Sequence, residues 1–186
     1  MRNMLSYLAA ALPSPTSSQA RLLALQCALR ADDLGRAELS SGFLRGMRLL
    51  GEGMWWRELE EAHWLYRPAP TSVHGATAQL LDVTLLSARQ GRRSRARAAD
   101  WALRTASAPA LHNRDFDLQL TVIVLAAHAS PGAARAAADA GQVARSSGLT
   151  GHQLITALTQ LATVGVLTAW TLDTTMDDLA RQTVRR

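Results

Sequence analysis

The stretch that decides the fold is VARSSGLTGHQLITALTQLATVGVL, residues 143–167. Its first part ends in a tight turn, Ser147-Gly148-Leu149-Thr150, and the threonine is a residue type that caps the start of a helix. Beyond the turn, apolar residues recur every three or four positions, which is the spacing of one helix face. They are Leu154, Ala157, Leu158, Leu161 and Val164. Gly165 ends this helix, so the stretch predicts helix, turn and helix.

The segments on either side extend this order. Phe116 to Ala129 predicts a long apolar helix, and Ala133 to Ser146 predicts a second helix that leads into the turn. After the turn and its helix, Val166 to Leu172 and Leu179 to Val184 predict two strands joined by a hairpin loop at Asp173–Asp177.

From about Leu118 to Val184 the chain therefore resembles a bacterial winged helix-turn-helix DNA-binding protein. The features that carry the resemblance are the small-residue turn, the helix after it, and Gly165-Val166-Leu167 leading into the hairpin. The resemblance implies that the helix after the turn is a recognition helix in the major groove and that the hairpin is the wing.

The first half of the chain has the order helix, short strand, helix, helix, strand, loop, strand, which is also that of a winged helix. The segments are Gln19–Arg30, Arg36–Leu39, a helix from Ser40 through Leu50, Met54–Ala62, Trp64–Tyr66, a loop, and Thr77–Leu86. Leu59, Ala62, Trp64 and Leu65 share the spacing of the residues that leave the third helix of the second half. His63 stands where that half has glycine, and a generic helical domain is the alternative for this half.

Between the halves lies an arginine-rich segment, Ala88 to Ala106, which alanine favours as a helix. Its beginning, Arg89–Ser94, can alternatively be a flexible basic linker. The sequence thus predicts a mainly α-helical chain with small β-hairpin wings. We assign an N-terminal winged helix to residues 17–87, an arginine-rich linker or helix to 88–110, and a C-terminal winged helix to 111–186.

Composition excludes several chemistries. The 20 residues counted as Lys+Arg are all arginine, which is typical of a GC-rich genome such as an actinobacterial one. Without lysine the chain cannot form a lysine Schiff base or a P-loop of the usual kind. The single Cys27 excludes an internal disulfide and a multi-cysteine zinc site.

The sequence also favours a cytoplasmic protein without a membrane span. The longest apolar run, Leu120 to Ala129, is far shorter than a bilayer requires, and Met1 to Leu12 resembles a signal peptide only faintly. The five histidines are scattered and none has a metal-ligand spacing. We therefore expect no enzyme activity, no cofactor and no metal.

Duplex DNA is the predicted partner. The recognition-helix candidates are polar residues that can meet base edges: Thr150, His152, Gln153, Thr156 and Gln160. The phosphate-contact candidates are arginines: Arg145, Arg89, Arg92, Arg93, Arg95, Arg97, Arg45 and Arg48. The alternative for both sets is an ordinary solvated surface.

These residues predict sequence-specific binding of double-stranded DNA, as in a transcriptional regulator. Tandem winged helices also resemble plasmid replication, partition and conjugation control proteins. A winged-helix module that binds other proteins is a further alternative. The sequence leaves a homodimer open.

Overall fold

One order of elements, helix–strand–helix–helix–strand–strand, occurs twice in the computed structural model, which describes residues 1–50, 53–83, 91–111, 114–129, 135–173 and 178–183. The first unit consists of α2 (Ser18–Arg30), β1 (Arg36–Ser40), α3 (Ser41–Gly46), α4 (Met54–Glu61), β2 (Leu65–Tyr66) and β3 (Gly75–Leu80). The second unit consists of α6 (Phe116–His128), β4 (Arg135–Asp139), α7 (Ala140–Ser147), α8 (Gly151–Thr163), β5 (Leu167–Asp173) and β6 (Asp178–Thr183). A further helix precedes each unit, α1 (Arg2–Ala11) and α5 (Arg92–Ala106), and a 3₁₀ turn at Pro109–Leu111 follows α5.

Each unit has a small antiparallel sheet. The strand orders are β1–β3–β2 and β4–β6–β5, so the first strand of each unit pairs with the last. The described part of the chain is therefore mainly helical with two small sheets, and the predicted mainly α-helical class is confirmed.

The helix predicted from Ala133 to Ser146 is wrong in its first half. Residues Arg135–Asp139 form strand β4, and α7 begins only at Ala140. Alanine favours a helix locally, but β6 supplies hydrogen-bond partners for the backbone of this stretch. The Asp139 carboxylate then accepts a hydrogen bond from the amide of Gln142 and caps α7.

Most other predicted elements are confirmed with shifts of one or two residues. Ser17 and Ser40 cap α2 and α3 with their side-chain oxygens. Helix α3 ends at Gly46, four residues short of the predicted end at Leu50. The strand predicted from Thr77 to Leu86 is wrong beyond Leu80, because β3 ends there and residues 81–83 are not strand; residues 84–86 lie outside the described residues.

The turn between the second and third helices has the same backbone geometry in both units. Arg48 (φ 58°) in the first unit and Gly148 (φ 69°) in the second are left-handed. The amide of the following residue, Leu49 or Leu149, donates to the carbonyl five residues earlier, at 2.8 and 2.9 Å.

The third helix of each unit also ends in the same way. His63 (φ 51°) and Gly165 (φ 74°) are both left-handed. The next amide, that of Trp64 or Val166, again reaches back five residues, at 3.1 and 2.9 Å. His63 therefore adopts the conformation for which the second unit uses glycine, in agreement with the spacing found in the sequence.

Helix α2 lies at the centre of the molecule. Every residue from Ala20 to Leu29 is buried, because α2 packs against α1, α4, α5 and α6. The buried apolar residues of both units form one continuous core. Helix α5 is part of this core through Ala99, Ala102 and Ala106, so the arginine-rich segment is, from Arg92 onward, a packed helix.

Helix α1 packs on α7 of the second unit as well as on α2 and α6. Leu5, Leu8 and Leu12 are buried in these contacts. Residues 2–11, which resemble a signal peptide faintly in sequence, therefore form an integral core helix. No helix within the described ranges combines the length and the apolar character that crossing a bilayer requires.

Cys27 provides a test of the core. It is fully buried in α2, and burial raises the pKa of its thiol to about 12. Because the thiolate is the reactive form, we expect the folded chain not to react with an aromatic disulfide reagent near pH 8. The same chain in about 6 M guanidinium should release one equivalent of chromophore. Rapid reaction of the folded chain would contradict the packing around α2.

Candidate nucleic-acid interface

Helix α8 begins with a capping box. Thr150 Oγ1 accepts a hydrogen bond from the amide of Gln153 (3.3 Å), and Gln153 Oε1 accepts one from the amide of Thr150 (2.8 Å). This reciprocal pair satisfies amides that a helix start leaves without partners. Gln153 Oε1 also accepts from the Thr150 hydroxyl (2.9 Å). Thr150 and Gln153 are thus largely committed to the cap, and the Gln153 side chain offers a ligand its Nε2 hydrogens.

One face of α8 is buried, and the other is exposed and carries no Asp, Glu or Arg side chain. Leu154, Ala157, Leu158 and Leu161 are buried, as their spacing predicts. The exposed side chains are polar or aliphatic: His152, Gln153, Ile155, Thr156, Thr159, Gln160 and Thr163. The three threonine hydroxyls donate to carbonyls four residues earlier, at 2.9 to 3.1 Å. The three threonines therefore present their methyl groups and oxygen lone pairs to a ligand, because their hydroxyl hydrogens are already used.

Arg145 lies on α7, three residues before the left-handed Gly148. Its side chain is 70% exposed, and its Nη2 is 4.0 Å from Asp139 Oδ1. An exposed pair at this distance contributes little to stability. The guanidinium can therefore exchange Asp139 for a phosphate at low cost.

A second arginine lies beside the other end of α8. Arg114 and Asp115, at the start of α6, line a surface depression of about 390 Å³ together with Gln160 and Thr163 of α8. Sequence reasoning missed Arg114, because the packing of α6 on α8 brings it there and no motif marks it. It is exposed.

Arg48 is next to Arg114. Its Nη2 donates to the Arg114 carbonyl, and its guanidinium lies 4.8 Å from the centroid of the Phe116 ring. The predicted contact residue Arg48 thus joins the first unit to the beginning of α6. Arg45, one turn earlier on α3, is exposed and has no hydrogen bond or ion pair to any residue that the structure describes.

The arginines of α5 lie elsewhere. Arg92, Arg93 and Arg97 are exposed, and Arg92 shares a depression with Arg30 and Arg36 at the C-terminal end of α2. The turn before α8 instead contacts the N-terminal end of α2, which is about 20 Å away for a helix of 13 residues. The structure therefore does not bring these arginines together with α8. Arg89 lies outside the described residues.

Arg95 is buried and belongs to the fold. Its side chain is 5% exposed, and its Nη2 donates to the carbonyl of Ala31 (3.2 Å) and lies 3.4 Å from Asp33 Oδ1. Ala31 is the C-cap of α2, where a positive group satisfies a free carbonyl and opposes the helix dipole. We therefore remove Arg95 from the predicted phosphate contacts, since its guanidinium does not reach the surface.

Other arginines also serve the fold. Arg21 is buried and donates to the carbonyls of Thr16 (3.1 Å) and Pro13 (2.8 Å), and burial lowers its pKa. Arg30 pairs with Asp100 at 2.9 Å. Arg67 pairs with Glu60 at 3.1 Å and lies over the Trp56 ring. The net charge of +5 therefore does not translate into an evenly basic surface.

Helix α4, which occupies in the first unit the position of α8, has a different surface. It carries three glutamates against one arginine, Arg57. Glu58 accepts hydrogen bonds from the amide (2.6 Å) and hydroxyl (2.9 Å) of Ser17, the cap of α2. Glu61 is exposed. Carboxylates repel phosphate, so α4 is less suited than α8 to approach a nucleic acid.

The two units are joined close to the start of α8. Ser18 Oγ donates to Asp117 Oδ1 at 2.6 Å and lies 3.3 Å from the carbonyl oxygen of Ser147, the last residue of α7. The turn residue Gly148 rests on the buried Arg21. These contacts fix the turn before α8 against the first unit.

The described residues contain no group of three or more His, Cys, Asp and Glu side chains that could hold a metal ion. His128, on α6, has its Nδ1 2.8 Å from the carbonyl of Val124 and so belongs to its own helix. Comparison of the chain with known protein families, curated proteins and solved structures finds no match.

Proposed function

We propose that the chain is a tandem winged helix-turn-helix protein that binds duplex DNA sequence-specifically and acts as a transcriptional regulator in the bacterial cytoplasm. The repeated order of elements and the two strand orders support this proposal. In it, α3–α4 and α7–α8 are the helix-turn-helix pairs, and the hairpins β2–β3 and β5–β6 are the wings.

The observation that carries the proposal is the exposed face of α8, which has no carboxylate and presents Thr156, Gln160 and His152. Glutamine pairs with adenine, and a threonine methyl contacts the thymine methyl in the major groove. The arginines at the two ends of α8, Arg145 and Arg114, are in position to meet flanking phosphates. Together these residues supply contacts to base edges and contacts to DNA phosphates, and duplex recognition requires both.

The exposed arginines of α5 have a separate role in this proposal. Arg92 lies near the C-terminal end of α2, about one α2 length from the start of α8, and Arg93 and Arg97 are exposed on the same helix as Arg92. In this proposal they contact phosphates only on a duplex that extends beyond the α8 footprint. Control of plasmid replication, partition or conjugation uses the same kind of DNA contact.

The exposed Leu50 and Met54 at the start of α4, the latter 74% exposed, favour a second candidate. Exposed apolar side chains on and just before a helix that also carries the exposed Glu61 suit a protein partner or a second copy of the chain better than DNA. A module of this kind would leave duplex DNA unbound, so one experiment separates the two candidates.

The experiment selects bound duplexes from a random library and then titrates the selected duplex at several salt concentrations. On a duplex trimmed to the α8 footprint, contacts from Arg145 and Arg114 alone predict a log–log slope of about −2. On a longer duplex, the additional contacts of Arg92, Arg93 and Arg97 predict a slope of about −4 to −5. Gln160→Ala should reduce the preference for the selected over a scrambled duplex about 10-fold or more, because a base contact is lost. Arg114→Gln should reduce the affinity for both duplexes equally and reduce the magnitude of the salt slope by about 1.

Arg57→Gln on α4 is the matched control, since it also removes one exposed arginine charge. We expect its duplex affinity to stay within about twofold of the unmodified chain. Arg93→Gln should reduce the affinity for a long duplex and leave unchanged the affinity for a duplex trimmed to the α8 footprint. Absence of binding at low salt, or a slope near zero, would contradict DNA binding. Equal effects of Gln160→Ala and Arg114→Gln would contradict the division of roles.

A further inference from the structure

A cavity of about 360 Å³ lies where α2, α3, α5 and α6 meet. Its apolar wall comes from Leu22 of α2, Met47 at the end of α3, and Leu103 of α5. This volume lies in the range of sites that hold small ligands. None of the residues that the structure places around the cavity is acidic.

The charged groups of the cavity are arginines, which only donate hydrogen bonds. Arg45 and Arg48 lie at its mouth and are exposed. Arg48 is partly engaged by the Arg114 carbonyl, whereas the Arg45 guanidinium is unpaired among the described residues. The cavity thus has two positive groups at its mouth and apolar side chains along its wall. This combination favours a ligand with a negatively charged end and an apolar body.

Gln119 adds a buried amide to the same cavity. It is 8% exposed, and its Nε2 lies 3.5 and 3.4 Å from the carbonyls of Leu111 and Arg114. These contacts are at the long limit of hydrogen bonding. The two carbonyls therefore hold the amide only weakly.

We propose that this cavity binds a small organic carboxylate with an aromatic or short aliphatic body. The carboxylate pairs with Arg45, for which the planar guanidinium offers two parallel donors. The body of the ligand covers Leu22, Met47 and Leu103. A ligand that carries an acceptor oxygen at its inner end gains a further hydrogen bond from the Gln119 amide, which the phenyl ring of the probe used below does not form. Binding at this site does not depend on the proposed function.

The test uses the full chain labelled with ¹³C at its methionine methyl groups, and 3-phenylpropionate as the probe. The chain has five methionines, of which Met47 lines the cavity and Met54 is exposed on α4. We expect the acid to shift the Met47 signal with a Kd on the order of 0.1 to 1 mM, leaving Met54 in place. The affinity for the neutral 3-phenylpropanol should be lower by a factor of about 10 or more.

Two variants and a control locate the site. Arg45→Gln should raise the Kd for 3-phenylpropionate about 10-fold. Gly46→Leu should abolish the Met47 response without unfolding the chain, because a Cβ at Gly46 meets no atom within 4 Å and the larger side chain fills the mouth. Arg104→Gln, which removes an exposed arginine of α5 that does not line the cavity, should leave the affinity unchanged.

An unmoved Met47 signal, equal binding of acid and alcohol, or an unchanged affinity of Arg45→Gln would overturn the proposal. None of these measurements contains DNA. Failure of the carboxylate site therefore leaves duplex binding standing, and failure of duplex binding leaves the expected Met47 shift standing.

Discussion

Replacing Gly148 with alanine is expected to lower the free energy of unfolding by about 3 kcal/mol, because the new Cβ would strike a buried arginine. Gly148 has φ 69°, and a Cβ there would lie 2.3 Å from Arg21 Nε and 2.7 Å from Arg21 Cδ. Arg21 cannot move aside without losing its hydrogen bonds to the carbonyls of Thr16 and Pro13. Hydrogen bonds from a charged donor contribute about 1.5 to 3 kcal/mol each, and the left-handed backbone costs an alanine about 1 kcal/mol more.

Gly165→Ala is the matched control. Gly165 has φ 74°, nearly the same as Gly148, but a Cβ there meets no atom within 4 Å. It should therefore cost only about 1 kcal/mol. For a chain of this length, the difference between the two variants corresponds to roughly 4 to 8 °C in Tm. Equal losses in thermal unfolding would show that Arg21 yields freely, and would contradict a rigid joint before α8.

Arg95→Gln is expected to cost about 2 to 3 kcal/mol of stability. Glutamine is too short to reach the Ala31 carbonyl at the end of α2, which Arg95 Nη2 holds at 3.2 Å. That carbonyl would be left buried without its donor, and the nearby Asp33 would lose its positive partner. Urea unfolding should show a lower midpoint with an unchanged m-value.

The control for Arg95→Gln is Arg97→Gln, two positions further along α5. Arg97 is exposed, so its loss should change the free energy of unfolding by less than about 0.5 kcal/mol. If Arg97→Gln destabilises the chain as much as Arg95→Gln does, the capping role of Arg95 is wrong. A stable Arg95→Gln chain with weakened DNA binding would restore Arg95 to the phosphate contacts.

Elements encoded by short-range patterns could be predicted from the sequence. The leucines of α8 recur at helical spacing, Thr150 and Ser17 are ordinary caps, and β1 lies between a turn and a capping serine. Strand β4 could not be predicted, because its alanines favour a helix and only the pairing with β6, more than 35 residues away, overrides that preference.

The candidate site could be predicted only in part, because local spacing reveals the exposed positions of a helix but not the long-range packing around it. The exposed positions of α8 follow from the spacing of its buried leucines, so His152, Thr156 and Gln160 could be found. Whether an arginine is buried or exposed depends on distant partners: Arg95 on Ala31, and Arg21 on Gly148. Arg114 reaches α8 only through the packing of α6, which no local pattern records.

The packing of α1 on α7 has a consequence for the order of events during synthesis. Roughly 130 residues separate the two helices, which a ribosome adds in roughly 6 to 26 s at 5 to 20 residues per second. Until α7 emerges, Leu5, Leu8 and Leu12 lack part of the surface that buries them in the finished molecule. Helix α1 is synthesised before the other helices that the structure describes, yet it is among the last of them to complete its packing, so its leucine face stays partly exposed on the nascent chain in the interval.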